Sequence, residues 1–223
     1  SELGVEPSPE TTALRDALAR ETRAHRAPRA PGASASSPPE PPSHFVGREA
    51  ECAALDAELA VVRGGQCRVV LLTGELGIGK SRLWREWSRH LPADCPPLEA
   101  RCVEAASGLP FAPLVDLFSA HPCIDDLLHG PSALPDVWLA EVARLLPQLR
   151  AEAPRLPPPA ALPPEEERRR VFEAFVQVLL ALDARPLVLF VDDVHWADRA
   201  TLDWLSYLAH RLRAYPLLLV LAY

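Results

Sequence analysis

The sequence predicts an α/β fold, a parallel sheet covered by helices on both faces. Three observations predict it. A short apolar run, Arg68 to Leu72, leads through a single threonine into Gly74-Glu75-Leu76-Gly77-Ile78-Gly79-Lys80-Ser81, which matches G-x-x-x-x-G-K-[ST], and helical periodicity follows. A second apolar run, Leu187 to Val191, ends in Asp192-Asp193, the pattern of a central strand with acids at its carboxyl end. Strand and helix patterns alternate, so parallel strands joined by right-handed crossovers are expected.

The glycine-rich stretch has the chemistry of a phosphate loop. Gly74, Gly77 and Gly79 tolerate positive φ, which lets backbone N–H groups turn inward as an anion nest at a helix N-terminus. Glu75, Ile78 and Arg82 belong to the same nucleotide-binding stretch. Lys80 is the one lysine among the 23 basic residues, the other 22 being arginine. A compact ammonium reaches β- and γ-phosphates inside a tight loop where a planar guanidinium lacks room. Ser81 offers a hydroxyl to Mg²⁺, and Asp192 is the carboxylate partner of that ion. Asp193 is placed to orient or deprotonate the attacking water. The chain is therefore read as a P-loop NTPase with a nucleoside triphosphate and Mg²⁺ as ligands.

The remaining elements follow in order. Ser8 caps a helix carrying a narrow stripe of Ala13, Leu14, Ala17 and Leu18, read over 1–24 as the end of a preceding helical domain. Residues 25–43 are a linker dense in Pro, Ala and Ser. The nucleotide-binding domain is placed at 44–223. Its first helix is expected from about Ala50 to Val62, closed by Gly64-Gly65. The Arg68 to Leu72 run reads as a buried strand, and Ser81 to His90 as the helix after the loop. A second strand is expected over Leu98 to Val103. Helices are expected near Pro113 to Phe118, Val137 to Leu146 and Glu166 to Leu182, with a surface loop through the prolines of Leu156 to Pro164. Trp84, Trp87, Phe172, Phe175, Val176 and Leu179 fall at core spacing, and Arg168-Arg169-Arg170 forms a solvated shoulder. A last strand spans Leu217 to Leu221. The long α/β segment between loop and acids suits a sheet in which another strand is inserted between those two.

Composition excludes several classes. A net charge of −7 without a basic stripe argues against a nucleic-acid surface on these residues. The five cysteines, Cys52, Cys67, Cys95, Cys102 and Cys123, form no C-x-x-C pair and read as reduced thiols. No apolar run reaches membrane-spanning length, so a cytoplasmic setting is expected.

Phe45-Val46-Gly47-Arg48-Glu49-Ala50-Glu51, the phosphate loop, and Val191-Asp192-Asp193-Val194-His195-Trp196-Ala197-Asp198 together resemble the AAA-type, STAND-like ATPase domain of large bacterial transcriptional regulators. Leu3-Gly4-Val5-Glu6-Pro7-Ser8-Pro9-Glu10 is similar to the end of the activator domain of SARP-type regulators. The resemblance implies that Val46, Gly47 and Arg48 lie beside adenine and that His195 and Trp196 sit toward the γ-phosphate. It implies an AAA-like strand arrangement truncated at the C-terminus, with a phosphate sensor after the Leu217 strand, a further edge strand, a lid or winged-helix domain and a trans-acting arginine all outside these residues. It also implies DNA binding through other domains and nucleotide-dependent self-association. The resulting expectation is an ATP-binding, slowly hydrolysing switch; a non-hydrolysing nucleotide sensor and a small-molecule kinase are the alternatives, and a concave acceptor pocket would mark the kinase.

Overall fold

A computed structural model of the chain describes residues 47–223 apart from residue 94 and residues 121–123, 130–132 and 183–184. The helix expected at 1–24, the linker at 25–43, Val46 and Cys123 lie outside the described residues. The described elements run α1 (Glu49–Arg63), β1 (Arg68–Leu72), α2 (Lys80–Ser88), β2 (Leu98–Arg101), α3 (Ala112–Ala120), α4 (Ile124–His129) and α5 (Asp136–Val142). They continue with α6 (Pro147–Glu152), α7 (Pro164–Ala181), β3 (Leu187–Asp192), α8 (Arg199–Arg211) and β4 (Leu217–Ala222), with short 3₁₀ turns at Glu104–Ala106 and Val194–Trp196.

The four strands form one parallel sheet in the order β1-β4-β3-β2. β4 is thus inserted between the loop strand and the acid strand, as the spacing predicts. Both faces of the sheet are covered. Leu55, Leu59 and Val62 of α1 and Trp84 and Trp87 of α2 pack with Val188, Phe190, Leu218 and Val220 on one face. On the other, α3, α7 and α8 cover Leu187, Leu189, Val191, Leu217 and Leu219 through Phe118, Phe175, Leu179, Trp204 and Leu208. α7 starts on Pro164 with Glu165, Glu166 and Glu167 in its first turn, so φ and macrodipole both favour initiation there.

Several elements differ from the sequence-based expectation. β1 is not fully buried: Val69 and Leu71 are 47% and 63% exposed. Among the described residues only β4 pairs with it, and only the face of Val70 and Leu72 is packed. The helix expected to run on to Leu146 stops at Val142: Arg144 and Leu145 donate three residues back in a tighter turn, and Leu146, before Pro147, leaves helical dihedrals at φ −114°, ψ 87°. β2 ends at Arg101, where its partner β3 turns away at Asp193. Three further helices, α4, α6 and α8, lie where the sequence pattern predicts no separate element. Arg168-Arg169-Arg170 is only partly a solvated shoulder. Arg168 pairs with Asp203 and covers the Phe172 ring, and Arg170 lies 3.6 Å from the buried Glu141 carboxylate.

Trp84 joins α2 to the sheet. Its ring is 1% exposed, stacks on Phe190 with centroids 4.4 Å apart, and donates its indole N–H to Glu99 at 2.7 Å. Trp84→Ala should therefore cost about 3–5 kcal/mol in urea unfolding. Leu76→Ala, at a position 93% exposed, should stay within about 0.5 kcal/mol of the parent.

Candidate functional site

The loop leaves the carboxyl end of β1 and enters α2 at Lys80. Gly77 and Gly79 hold φ of 80° and 99°, a region that residues with a Cβ rarely occupy. A Cβ on Gly74 would lie 3.1 Å from Ile78 Cγ2, so a side chain there would push the exposed Ile78 aside by a few tenths of an ångström. The Lys80 ammonium donates to the carbonyls of Gly74 at 2.8 Å and Glu75 at 3.1 Å, arching back over its own loop. Arg48 donates to the Ile78 carbonyl at 2.8 Å and to Glu51 at 3.1 Å, tying the start of α1 to the loop. Glu49, at the head of α1, accepts from the Gly47 N–H; its own N–H and that of Gly47 hold its carboxyl below the usual range. Arg82 lies in the first turn of α2, half-buried.

The acids reach the same place from β3. Ser81 Oγ donates to Asp192 Oδ2 at 2.7 Å, and Asp192 Oδ1 accepts from the Asp193 N–H at 3.0 Å. Asp193 itself is left-handed, at φ 54° and ψ 44°, which an aspartate tolerates better than most residues. The turn brings its carboxylate toward β2, where Arg101 Nη2 lies 3.4 Å from Asp193 Oδ2.

No cluster of three or more His, Cys, Asp or Glu among the described residues could enclose a metal ion. One hydroxyl and one carboxylate in hydrogen-bonding contact are instead a donor set of hard oxygens suited to Mg²⁺, which keeps waters and takes phosphate oxygens rather than an all-protein cage.

Beside this pair lies a cavity of about 580 Å³ lined by Ser81, Arg85, Glu99, Arg101, Phe190 and Asp192. Arg85 and Arg101 escaped the sequence reading. A signal for Arg101 was present: β2 alternates Leu98 and Ala100 inward with Glu99 and Arg101 outward, and the outward residue nearest the carboxyl end of a parallel strand faces the ligand side.

The AAA ATPase domain family matches residues 44–220. The chain belongs to this family. It is also 30% identical over 188 residues to an uncharacterized protein of Rhizobium meliloti (strain 1021), covering 78% of this chain and 18% of that protein. The chain thus spans less than a fifth of the length of that curated relative. Membership of the AAA ATPase domain family makes the chain a P-loop, nucleotide-binding domain. No helix among the described residues is long and apolar enough to cross a membrane.

Within this AAA ATPase domain the string after the acids divides into different environments. The His195 ring lies against those of Trp196 and Tyr223, with centroids 5.0 and 5.9 Å away. Asp198 is buried instead. It accepts from Thr201 N–H at 2.9 Å as the N-cap of α8, from the Thr201 hydroxyl, and from Phe111 N–H at 3.2 Å, which steadies a non-glycine residue at φ 62°. Burial, then the carboxylates of Asp198, Asp193 and Asp192, push the Cys102 thiol up to about 12, so it remains protonated at neutral pH. Asp198→Ala should lower stability by about 2–4 kcal/mol in chemical denaturation, from a lost cap and two orphaned donors. Nucleotide affinity measured below the unfolding transition should change less than about threefold.

Proposed function

We propose that these residues are the ATP-binding switch module of a multidomain bacterial transcription regulator, hydrolysing ATP slowly with Mg²⁺. The observation that carries this reading is the 2.7 Å contact between Ser81 and Asp192, which brings the phosphate loop and the acid strand to one point. The glycine turn and the head of α2 receive the phosphates, and Lys80 exchanges its two loop carbonyls for phosphate oxygens. Gly47 and Arg48 lie on the adenine side. Ser81 and Asp192 would hold Mg²⁺, which would supply positive charge against the phosphates. Asp193 accepts a proton from a water whose oxygen bonds the γ-phosphorus; the β–γ bridging oxygen leaves with ADP.

Turnover is expected to be slow. A positioned trans arginine contributes about 10³- to 10⁵-fold in phosphoryl transfer, and the sequence resemblance locates that group outside these residues. The regulator context rests on the same resemblance, including the similarity of residues 3–10 to an activator-domain tail; DNA contact and nucleotide-dependent self-association belong to the rest of that protein. The cavity beside Asp192 favours a second reading, a P-loop kinase that uses the space for an acceptor. Phosphate appearing as free inorganic phosphate, undiminished when small hydroxyl compounds are added, decides for the ATPase.

Mg²⁺-ATP at about 100 times its Kd should raise unfolding stability by about 2.7 kcal/mol in the parent protein and not in Lys80→Ala. An equal rise in the variant overturns the site. Asp193→Asn should lower kcat by about 10²-fold or more without weakening ATP binding; unchanged turnover would favour a non-catalytic sensor.

A further inference from the structure

A second cavity, of about 760 Å³, lies among α5, α7, α8 and the proline loop, in the helical layer on the sheet face opposite to α2. No residue of the phosphate site lines it. We infer that this cavity is a binding site for an aromatic carboxylate, held by the guanidinium of Arg169 against the rings of Trp138 and Tyr207.

Helical spacing builds the cavity. Glu166, Arg169, Arg170 and Glu173 recur at i, i+3, i+4 and i+7 on α7, so they share one face, and Tyr207, His210 and Arg211 repeat that spacing on α8. Most of these charges are already matched within the fold. Glu173 accepts at both oxygens: Oε1 from Gln177 at 2.8 Å and Arg211 at 3.1 Å, Oε2 from the Tyr207 hydroxyl at 2.7 Å and Arg211 at 3.2 Å. Arg170 faces the buried Glu141 carboxylate at 3.6 Å. Glu166 stands in the first turn of α7, where its charge offsets the positive end of the helix dipole. Arg169 and His210 remain, both exposed and without an ion pair or hydrogen bond among the described contacts. The arginine shoulder of α7 thus has Arg168 and Arg170 tied to acids of the fold and Arg169 left for a ligand.

The chemistry of the walls selects the ligand. Burial and then the bond to Glu173 push the Tyr207 hydroxyl up, while Arg211 and Arg169 act in the opposite sense, which puts Arg169 within electrostatic range of that ring. Trp138, Tyr207 and Leu162 are half-buried and give the cavity apolar surface beside the unpaired guanidinium. A planar fork next to aromatic rings suits a planar acid on a flat apolar body, and the volume falls in the range of about 300–1,000 Å³ usual for small-molecule sites. A carboxylate suits it better than a phosphate. One unpaired fork matches one carboxylate, whereas a dianion would meet more repulsion from Glu166 and could recruit Arg170 or Arg211 only by leaving Glu141 or Glu173 without a partner.

Titration calorimetry of the parent chain with cinnamate, cinnamamide and cinnamyl phosphate tests the site. Cinnamate should bind with a Kd of about 0.1–1 mM, in keeping with its size. It should bind about tenfold tighter than the neutral amide, the worth of a charge-assisted bond, and no weaker than the phosphate. Arg169→Gln should weaken cinnamate about tenfold while leaving the amide affinity and the urea unfolding midpoint unchanged. Trp138→Leu should weaken all three ligands, and Glu166→Gln should tighten the two anions about twofold. Lys80→Ala should not alter the cinnamate Kd. Equal affinity for cinnamate and its amide overturns the site, as does a cinnamate Kd that Arg169→Gln leaves unchanged or an absence of binding at about 10 mM. Loss of cinnamate binding in Lys80→Ala would put the ligand in the phosphate loop and overturn it equally. A tenfold preference for the phosphate overturns the carboxylate assignment.

Discussion

The hydrogen bond from Ser81 to Asp192 spans 111 residues of sequence, and the rest of the site depends on it. It forms in a sheet in which β4 lies between β1 and β3. Adjacent strands lie about 4.8 Å apart, so a one-strand gap places the loop strand and the acid strand about 10 Å apart. That distance is spanned by the glycine turn as it swings from β1 into α2 and brings the head of the helix to the acid. The helix packing enforces the same distance, since Trp84, one turn into α2, stacks on Phe190 two residues before Asp192.

Charge in this site is local. The chain carries −7 overall, yet the loop contains one ammonium, a helix N-terminus and the nearby guanidinium groups of Arg48, Arg85 and Arg101. α2 has no acidic residue in its first turn, unlike α1 and α7, which begin with glutamates. Glutamates at a helix start satisfy the positive end of the dipole themselves. Their absence from α2 leaves that end free for an external anion, while at α1 and α7 the chain supplies its own. α3, α6 and α8 also lack an acid in the first turn, so it is the positive-φ glycine turn leading into α2 that sets its N-terminus apart.

How much of this is legible in the sequence depends on the range of the interaction. The loop, the parallel sheet and the inserted strand follow from local patterns: glycine spacing, an uninterrupted apolar run closed by acids, and the length of chain between them. The α2 and α7 cores follow from periodicity. β1 misled because Val69 and Leu71 look as buried as Val70 and Leu72 in a five-residue run, and only the register with β4 and the helix placement reveal which face is covered. Asp198 and Asp193 are both acids in one eight-residue string, yet one is sealed into a helix cap and the other turned out at φ 54°. The alternation of β2 puts Arg101 on the ligand side, but its partner comes from a strand whose register residue lies 91 positions later. No local pattern carries a cross-strand pairing.

The two halves of the site differ in firmness, and the difference suits a switch. On the acid side β3 is buried from Leu187 to Val191, and Asp192 is fixed by Ser81 and by the Asp193 N–H. On the loop side β1 is half open, Leu76 and Ile78 face solvent, and Lys80 is bonded only to carbonyls of its own turn. Free energies of local opening follow burial and tertiary support, so the loop side is the one that reorganises first when a ligand arrives. A nucleotide anchored on the firm side then exerts its differential contacts on the soft one, on Lys80 and on the Arg48 tie to Ile78 that links the loop to α1. In the proposed reading that tie couples the phosphate loop to the start of α1, because Arg48 stands directly before α1 and among the described contacts its guanidinium is held by the loop carbonyl and Glu51.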